Sequence, residues 1–170
     1  MTRVYHVRPT SSDLNSMRNS GRVKIRVFCV GNPQRGDDGV GHIVADLLTG
    51  EENIVLDKVR TPAEILDKLT GEEECVIVVD AMEKATTPGK VHRLTSIENL
   101  STKTPWRSTH SLTLPEVLKI AESLSLIPKN LLVYGVEGAS FEYMAPVSED
   151  VMRACYVVAE EIRRLARQIL

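Results

Sequence analysis

The run Cys-Val-Ile-Val-Val at residues 75–79 is the feature that most limits what this chain can fold into. Every side chain in it is apolar, so the strand that it predicts must be buried on both faces. Strands of this kind lie inside a mostly parallel sheet that carries helices on each side. Asp80 follows the run directly, which predicts a carboxylate at the end of a central strand.

Four other segments have the apolar or alternating pattern of strands, and helical patterns separate most of them. The predicted strands are residues 24–30, 53–60, 75–80, 90–94 and 130–136. The link between the third and fourth strands is too short for a parallel crossover, so the fourth is predicted to be an antiparallel edge strand. The fold class is therefore α/β: a single three-layer domain with a five-stranded, mostly parallel twisted sheet and helices on both faces.

Capping signals mark the predicted helix starts. Thr61 with Glu64, and Thr113 with Glu116, have the spacing of a capping box, and Ser148 precedes two acidic residues. The last helix is predicted to bury an apolar stripe made of Val151, Cys155, Val158, Ile162, Leu165 and Ile169.

Composition argues against several classes of protein. Lysine and arginine number 21 against 23 aspartate and glutamate, without a basic block, so nucleic acid binding is not expected. No apolar stretch approaches the roughly 20 residues that span a bilayer. The chain lacks an apolar leader and Cys-x-x-Cys spacing, so a cytoplasmic protein is expected. Residues 1–23 are polar and are interpreted as an N-terminal extension of unknown role before one domain at 24–170.

A glycine-rich loop between Gly31 and Gly41 joins the first strand to a helix. Such loops often bind phosphate at the helix N-terminus, but this spacing is neither GxGxxG nor Gly-Lys-Ser/Thr. The adjacent carboxylates of Asp37 and Asp38 would also repel a phosphate. Two like charges about 4 Å apart repel by about 4 kcal/mol at an effective dielectric constant of 20, a conflict that a bound cation removes. The loop therefore favours a metal ion.

Asp80 and His110 are further metal-competent side chains at predicted loop edges. Carboxylate and imidazole together suit first-row metals such as nickel or zinc rather than calcium or magnesium. Asp37 is interpreted as the N-cap of the helix that follows it, and Asp38 as the ligand. Each residue also has an ordinary explanation, because Asp80 can simply end a strand and His110 can be a surface or capping residue.

Other candidate side chains receive only ordinary interpretations. His42 is interpreted as a helix residue and His92 as a residue on one face of the edge strand. Ser108 and Ser111 flank His110 without the GxSxG pattern of a serine nucleophile, so a serine hydrolase has little support.

Taken together, the motifs resemble those of the hydrogenase maturation proteases, the endopeptidases that process the large subunits of nickel–iron hydrogenases. The resemblance spans residue 24 to the C-terminus. It rests on Gly31-Asn32, Asp37-Asp38-Gly39-x-Gly41, Val79-Asp80-Ala81, Ser108-Thr109-His110-Ser111-Leu112, Thr61-Pro62 and Gly135-Val136-Glu137.

The resemblance implies a five-stranded twisted sheet with helices on both faces, and a catalytic metal site at Asp38, Asp80 and His110. Many relatives have Glu where this chain has Asp38. The implied activity is that of an endopeptidase of the aspartic or metal-dependent type. It removes a C-terminal peptide from the nickel-loaded precursor of a hydrogenase large subunit. The precursor is the partner and supplies the nickel, for which other divalent metals can substitute.

Two other classes would use the same residues differently. A nickel-binding maturation chaperone would bind the metal through the same ligands without hydrolysis. A nucleotide-binding α/β module would place phosphate in the glycine-rich loop and would be indifferent to the loss of Asp38.

Overall fold

A computed structural model describes residues 24–83, 87–100, 106 and 112–168 of the chain. Within them lie the strands β1 (Ile25–Val30), β2 (Ile54–Val59), β3 (Cys75–Met82), β4 (Val91–Leu94) and β5 (Asn130–Glu137). The strands form one sheet in the order β2-β1-β3-β5-β4. The predicted extension, residues 1–23, lies outside the described residues.

The sheet is parallel except at one edge. Strand β1 pairs in parallel with β2 and β3, and β3 pairs in parallel with β5. Strand β4 pairs antiparallel with β5 and has no other neighbour in the sheet, so the predicted antiparallel edge strand is confirmed. The central place of β3, with β1 beside it, is confirmed as well.

Strand β3 is longer than predicted. It continues through Ala81 and Met82, which pair with Val136 and Glu137 of β5. Asp80 therefore lies two residues before the end of the strand, and the prediction that it ends the strand is wrong. The reason is that pairing with β5, a long-range contact, carries the strand past the charged residue.

Four α-helices complete the described domain: α1 (Val40–Leu47), α2 (Glu64–Lys68), α3 (Leu114–Ser123) and α4 (Glu149–Gln168). The two predicted capping glutamates accept backbone N–H groups at the starts of their helices, as expected. The Glu64 carboxylate accepts the Thr61 N–H at 3.1 Å, and the Glu116 carboxylate accepts the Thr113 N–H at 2.7 Å. Two short 3-10 helices, Gly36–Gly39 and Glu98–Leu100, lie in the connections.

The helices cover both faces of the sheet, as the three-layer prediction requires. One face packs against α1 and α4 through buried residues that include Val27, Ile77, Val79, Val44 and Val158. The other packs against α2 and α3 through residues that include Phe28, Val78, Val133, Ile65 and Val117. Burial of each such side chain contributes about 1.5–3 kcal/mol relative to exposure. The two cores fix the strands whose ends carry the candidate site.

The cysteines are unpaired. Cys29 and Cys155 are buried, and Cys75 is partly covered. Burial raises the pKa of each thiol to about 12, so thiolate chemistry is suppressed and the predicted role as small hydrophobic side chains fits. Across the described ranges, no helix combines the length and apolar character needed to cross a membrane.

Candidate active site

The carboxyl ends of β1, β3 and β5 meet at one edge of the sheet, where open α/β sheets bind ligands. The strand register places Cys29 beside Val79, and Asp80 beside Gly135. The 3-10 helix Gly36–Gly39, which follows the loop from β1, lies against β3. The structure therefore brings the segments that carry Asp38 and Asp80 to the same edge.

Asp38 is half-buried and lies in the 3-10 helix Gly36–Gly39 of the glycine-rich loop. Its carboxylate accepts the N–H of Asn32 at 3.0 Å, and its own N–H donates to the Arg35 carbonyl at 3.0 Å. The loop folds back so tightly that a Cβ on Gly31 would lie 1.9 Å from the Asp38 carbonyl oxygen. Gly31 also has a φ of 140°, so only glycine fits there. The loop thus holds the Asp38 carboxylate above the end of β1.

Asp80 is an acidic residue buried in the central strand. It is only 4% exposed and lies on the face of β3 that also carries Val78 and Met82. One carboxylate oxygen accepts the N–H of Ala81 at 2.8 Å. Burial of a carboxylate is unfavourable unless hydrogen bonds or a cation compensate for the water that it loses.

His110 lies outside the described residues, as do Ser108 and Ser111. Among the residues that the structure does describe, no group of three histidine, cysteine, aspartate or glutamate side chains is arranged to bind a metal. The convergence of Asp38, Asp80 and His110 on one ion therefore stays a prediction.

Asp37 does not cap the helix that follows it, and that prediction is wrong. Neither the 3-10 helix nor α1 receives a side-chain cap. The Asp37 side chain is instead 0% exposed and accepts the N–H groups of Ala139, Ser140 and Ser148. It therefore serves the start of a distant helix, α4, because the loop turns the carboxylate away from α1 toward the segment between β5 and α4.

The sequence interpretation missed a buried hydrogen-bonded pair, His92 and Glu137, at this edge. The Glu137 carboxylate is 2.7 Å from His92 Nε2 and accepts the Thr87 N–H at 3.0 Å. Burial alone would raise the pKa of Glu137, which is 3% exposed, but the hydrogen bonds from His92 and Thr87 hold the pKa below its usual value. The acidic residue at the end of the apolar run of β5 is the only sequence signal for this pair, and it does not identify the partner.

This hydrogen-bonded pair lies on the same face of the sheet as Asp80. Asp80 pairs with Gly135, and Gly135 pairs with His92, so the three residues form one row across β3, β5 and β4. Neighbouring strands are about 4.8 Å apart, which places the His92 backbone roughly two strand spacings from Asp80. His92 therefore has a buried acidic partner and is not an ordinary edge residue, unlike His42, which bonds the Val59 carbonyl oxygen.

Trp106 covers the middle of this row. It forms an antiparallel bridge with Met82, and a Cβ on Gly135 would lie 2.8 Å from the Trp106 ring. The residue is 7% exposed, and its indole N–H has no hydrogen-bond partner within the described part of the chain. Gly135 is thus required for the close approach of the ring to the sheet.

Several solved structures share this fold. The maturation protease HybD from Thermococcus kodakarensis aligns with a TM-score of 0.69 and 22% identity, over 84% of this chain and 99% of that protein. The maturation protease HycI from T. kodakarensis KOD1 aligns with a TM-score of 0.68 and 23% identity, over 88% and 96% of the two chains. The maturating endopeptidase HybD from E. coli aligns with a TM-score of 0.70 and 21% identity, over 85% and 93%.

The sequence itself identifies the family. No curated protein matches it significantly. The family profile described as HycI, hydrogenase maturation protease, matches residues 45–165, which is more than two thirds of the chain. The match begins after the glycine-rich loop, so it is independent of the motif that contains Asp37 and Asp38. This chain belongs to the hydrogenase maturation protease family.

Proposed function

We propose that this protein is an endopeptidase that removes the C-terminal peptide from the nickel-loaded precursor of a hydrogenase large subunit. The observation that carries the proposal is the placement of two acidic segments, at Asp38 and Asp80, on one edge of the sheet in a chain of this family. The precursor is the partner, and the reaction takes place in the cytoplasm.

The nickel belongs to the precursor, and Asp38, Asp80 and His110 are the proposed ligands on this chain. Two carboxylates and an imidazole form a donor set that suits a first-row divalent metal. The buried position of Asp80 supports this role, since a cation offsets the cost of burying its charge. A precursor without nickel would leave the carboxylates at this edge without that cation and would bind less well.

Peptide hydrolysis needs a base that takes a proton from the attacking water and returns it to the leaving nitrogen. A carboxylate at this edge, Asp38 or Asp80, provides such a base in an aspartic or metal-dependent mechanism. The metal of the precursor would polarise the reacting groups. Asp38 is the more accessible of the two carboxylates, because Asp80 is almost fully covered.

The alternative classes gain no support from a specific contact. The spacing of the glycine-rich loop matches no phosphate-binding motif, and the half-buried Asp38 carboxylate in it would repel a phosphate. The cleavage assay distinguishes the second alternative, because a nickel-binding chaperone would bind nickel without cleaving the precursor.

Variants of the proposed ligands test the site. Asp38→Asn keeps the shape of the side chain but removes its charge, and His110→Ala removes the imidazole. We expect both to abolish cleavage of the nickel-loaded precursor, followed by mass spectrometry, while the thermal unfolding temperature changes little. Val78→Asp, which places a charge in the core, serves as the control for unfolding. Full activity of either ligand variant would contradict the site assignment, and tight nickel binding by the wild type without cleavage would indicate a chaperone.

A further inference from the structure

We infer that Asp37 is the positioning residue for Asp38. Its buried carboxylate fastens the loop that carries Asp38 to the segment that joins β5 to α4. The inference rests on the proposed function, in which Asp38 acts on the precursor. It concerns a residue that makes no contact with substrate and acts through its neighbour.

The contacts of Asp37 reach both ends of that segment. Oδ2 accepts the N–H groups of Ala139 at 2.7 Å and Ser140 at 3.1 Å. Oδ1 accepts the N–H of Ser148 at 2.8 Å, and the Ser148 hydroxyl lies 3.0 and 3.1 Å from the two carboxylate oxygens. The Asp37 N–H in turn donates to the Ser140 carbonyl oxygen at 2.9 Å. Asp37 is therefore held through its backbone and through both carboxylate oxygens.

The hydrogen bonds of Asp37 include the start of a long helix. Ser148 directly precedes α4, a helix of 20 residues, and both its N–H and its hydroxyl bond the Asp37 carboxylate. Asp37 therefore joins the glycine-rich loop to the start of α4 as well as to the residues that follow β5.

Close packing of the two segments is a second, independent observation. A Cβ on Gly36 would lie 2.5 Å from the Ser140 carbonyl oxygen, and a Cβ on Gly138 would lie 3.0 Å from the Asp37 Cβ. Gly36 cannot become alanine without moving the backbone at Ser140, and a Cβ on Gly138 would also lie 2.4 Å from the Phe141 ring. The loop and the β5–α4 segment are therefore closely packed at Asp37.

Asp37 and Asp38 are joined by one peptide unit, so the hydrogen bonds that hold Asp37 also restrict the position of Asp38. Consecutive Cα atoms are 3.80 Å apart across a planar trans peptide, so a fixed Asp37 leaves the next residue few positions. The Asn32 N–H, which donates to the Asp38 carboxylate, reports on that position. If the hydrogen bonds of the Asp37 carboxylate are lost, the Asn32 amide should become accessible to water.

Asp37→Asn is the sharpest test, because asparagine has one acceptor oxygen where aspartate has two. Either orientation of the amide turns its NH2 group toward N–H donors. We expect hydrogen exchange at the Asn32 amide to accelerate at least about 10-fold more than exchange at the amides of β3, which follows the loss of global stability. We also expect kcat for the nickel-loaded precursor to fall about 100-fold, since a displacement of about 1 Å can cost that much, with KM changed less than about threefold.

Two further variants complete the test. Asp67→Asn, at an exposed position, is the matched control and should change neither exchange nor kcat. Ser148→Ala removes one hydroxyl and keeps the backbone N–H, so it should speed Asn32 exchange by about threefold, and it decides the question if Asp37→Asn does not fold.

Three results would overturn the inference: unchanged exchange at Asn32, an equal rise at every amide including β3, or an unchanged kcat in Asp37→Asn. The exchange measurement needs no precursor. If the wild type itself failed to cleave the precursor, the proposed function would fall, while exchange at Asn32 would still decide whether Asp37 positions Asp38.

Discussion

Two buried carboxylates at the site edge, Asp37 and Glu137, are surrounded by different partners. Asp37 is 0% exposed and accepts hydrogen bonds from three backbone N–H groups and a hydroxyl. Glu137 is 3% exposed, and among the described residues its carboxylate has one backbone N–H partner, from Thr87, and one imidazole partner, His92. A backbone N–H can only donate, whereas an imidazole nitrogen donates or accepts according to its tautomer.

These different partners determine which of the two carboxylates can be replaced by an amide. Donors face both oxygens of Asp37, so an amide at that position always places donor against donor. Glu137 faces a donor on one oxygen and an adaptable ring on the other. The two isosteric changes, Asp37→Asn and Glu137→Gln, therefore separate a position that requires a carboxylate from one that tolerates an amide.

The largest effect on stability is expected for Asp37→Asn. The change leaves buried N–H groups near Ser148 or near Ala139 and Ser140 without an acceptor, and each such group costs about 1–3 kcal/mol. We expect the free energy of unfolding to fall by about 3 kcal/mol, measured by urea denaturation at neutral pH. A loss below about 0.5 kcal/mol would show that the amide finds partners, and the contrast with Glu137 would disappear.

Glu137→Gln should cost less. The glutamine carbonyl can accept the Thr87 N–H, and its NH2 group can donate to the ring of His92 in its neutral form. We expect a loss of about 1 kcal/mol, because a charged hydrogen bond is exchanged for a neutral one. A loss equal to that of Asp37→Asn, in the same urea experiment, would mean that His92 cannot adapt.

The smallest expected effect is the pH dependence of the stability loss in Glu137→Gln. The folded pKa of Glu137 is below its usual value of 4.5, so its ionised form stabilises the protein above about pH 4.5. That contribution is lost as the pH falls through the folded pKa, and glutamine has no such dependence. The stability gap between wild type and Glu137→Gln should therefore be narrower at about pH 3 than at pH 7. A constant gap would contradict the assigned pKa shift.

The parts of the fold that follow from local pattern could be predicted from the sequence. Strand β3 is central because residues 75–79 are apolar on both faces, and β4 is antiparallel because too few residues separate it from β3. Both conclusions need only the chain near each strand. The place of Asp38 in a loop after β1 follows from the same kind of reasoning.

The features that depend on long-range contacts could not be predicted. The partners of Asp37 lie more than 100 positions away, so nothing near Asp37 distinguished a helix cap from a fastening between loops. The pairing of His92 with Glu137 depends on the register between β4 and β5, which the sequence does not state. The extension of β3 past Asp80 likewise depends on its pairing with β5.

The central claim is that this protein cleaves a hydrogenase large-subunit precursor only after nickel has been inserted. The most direct measurement is the mass of the precursor after incubation with the wild-type protein, in parallel samples with and without bound nickel. We expect loss of a C-terminal peptide from the nickel-loaded precursor and an intact nickel-free precursor. Equal cleavage of the two forms would contradict it.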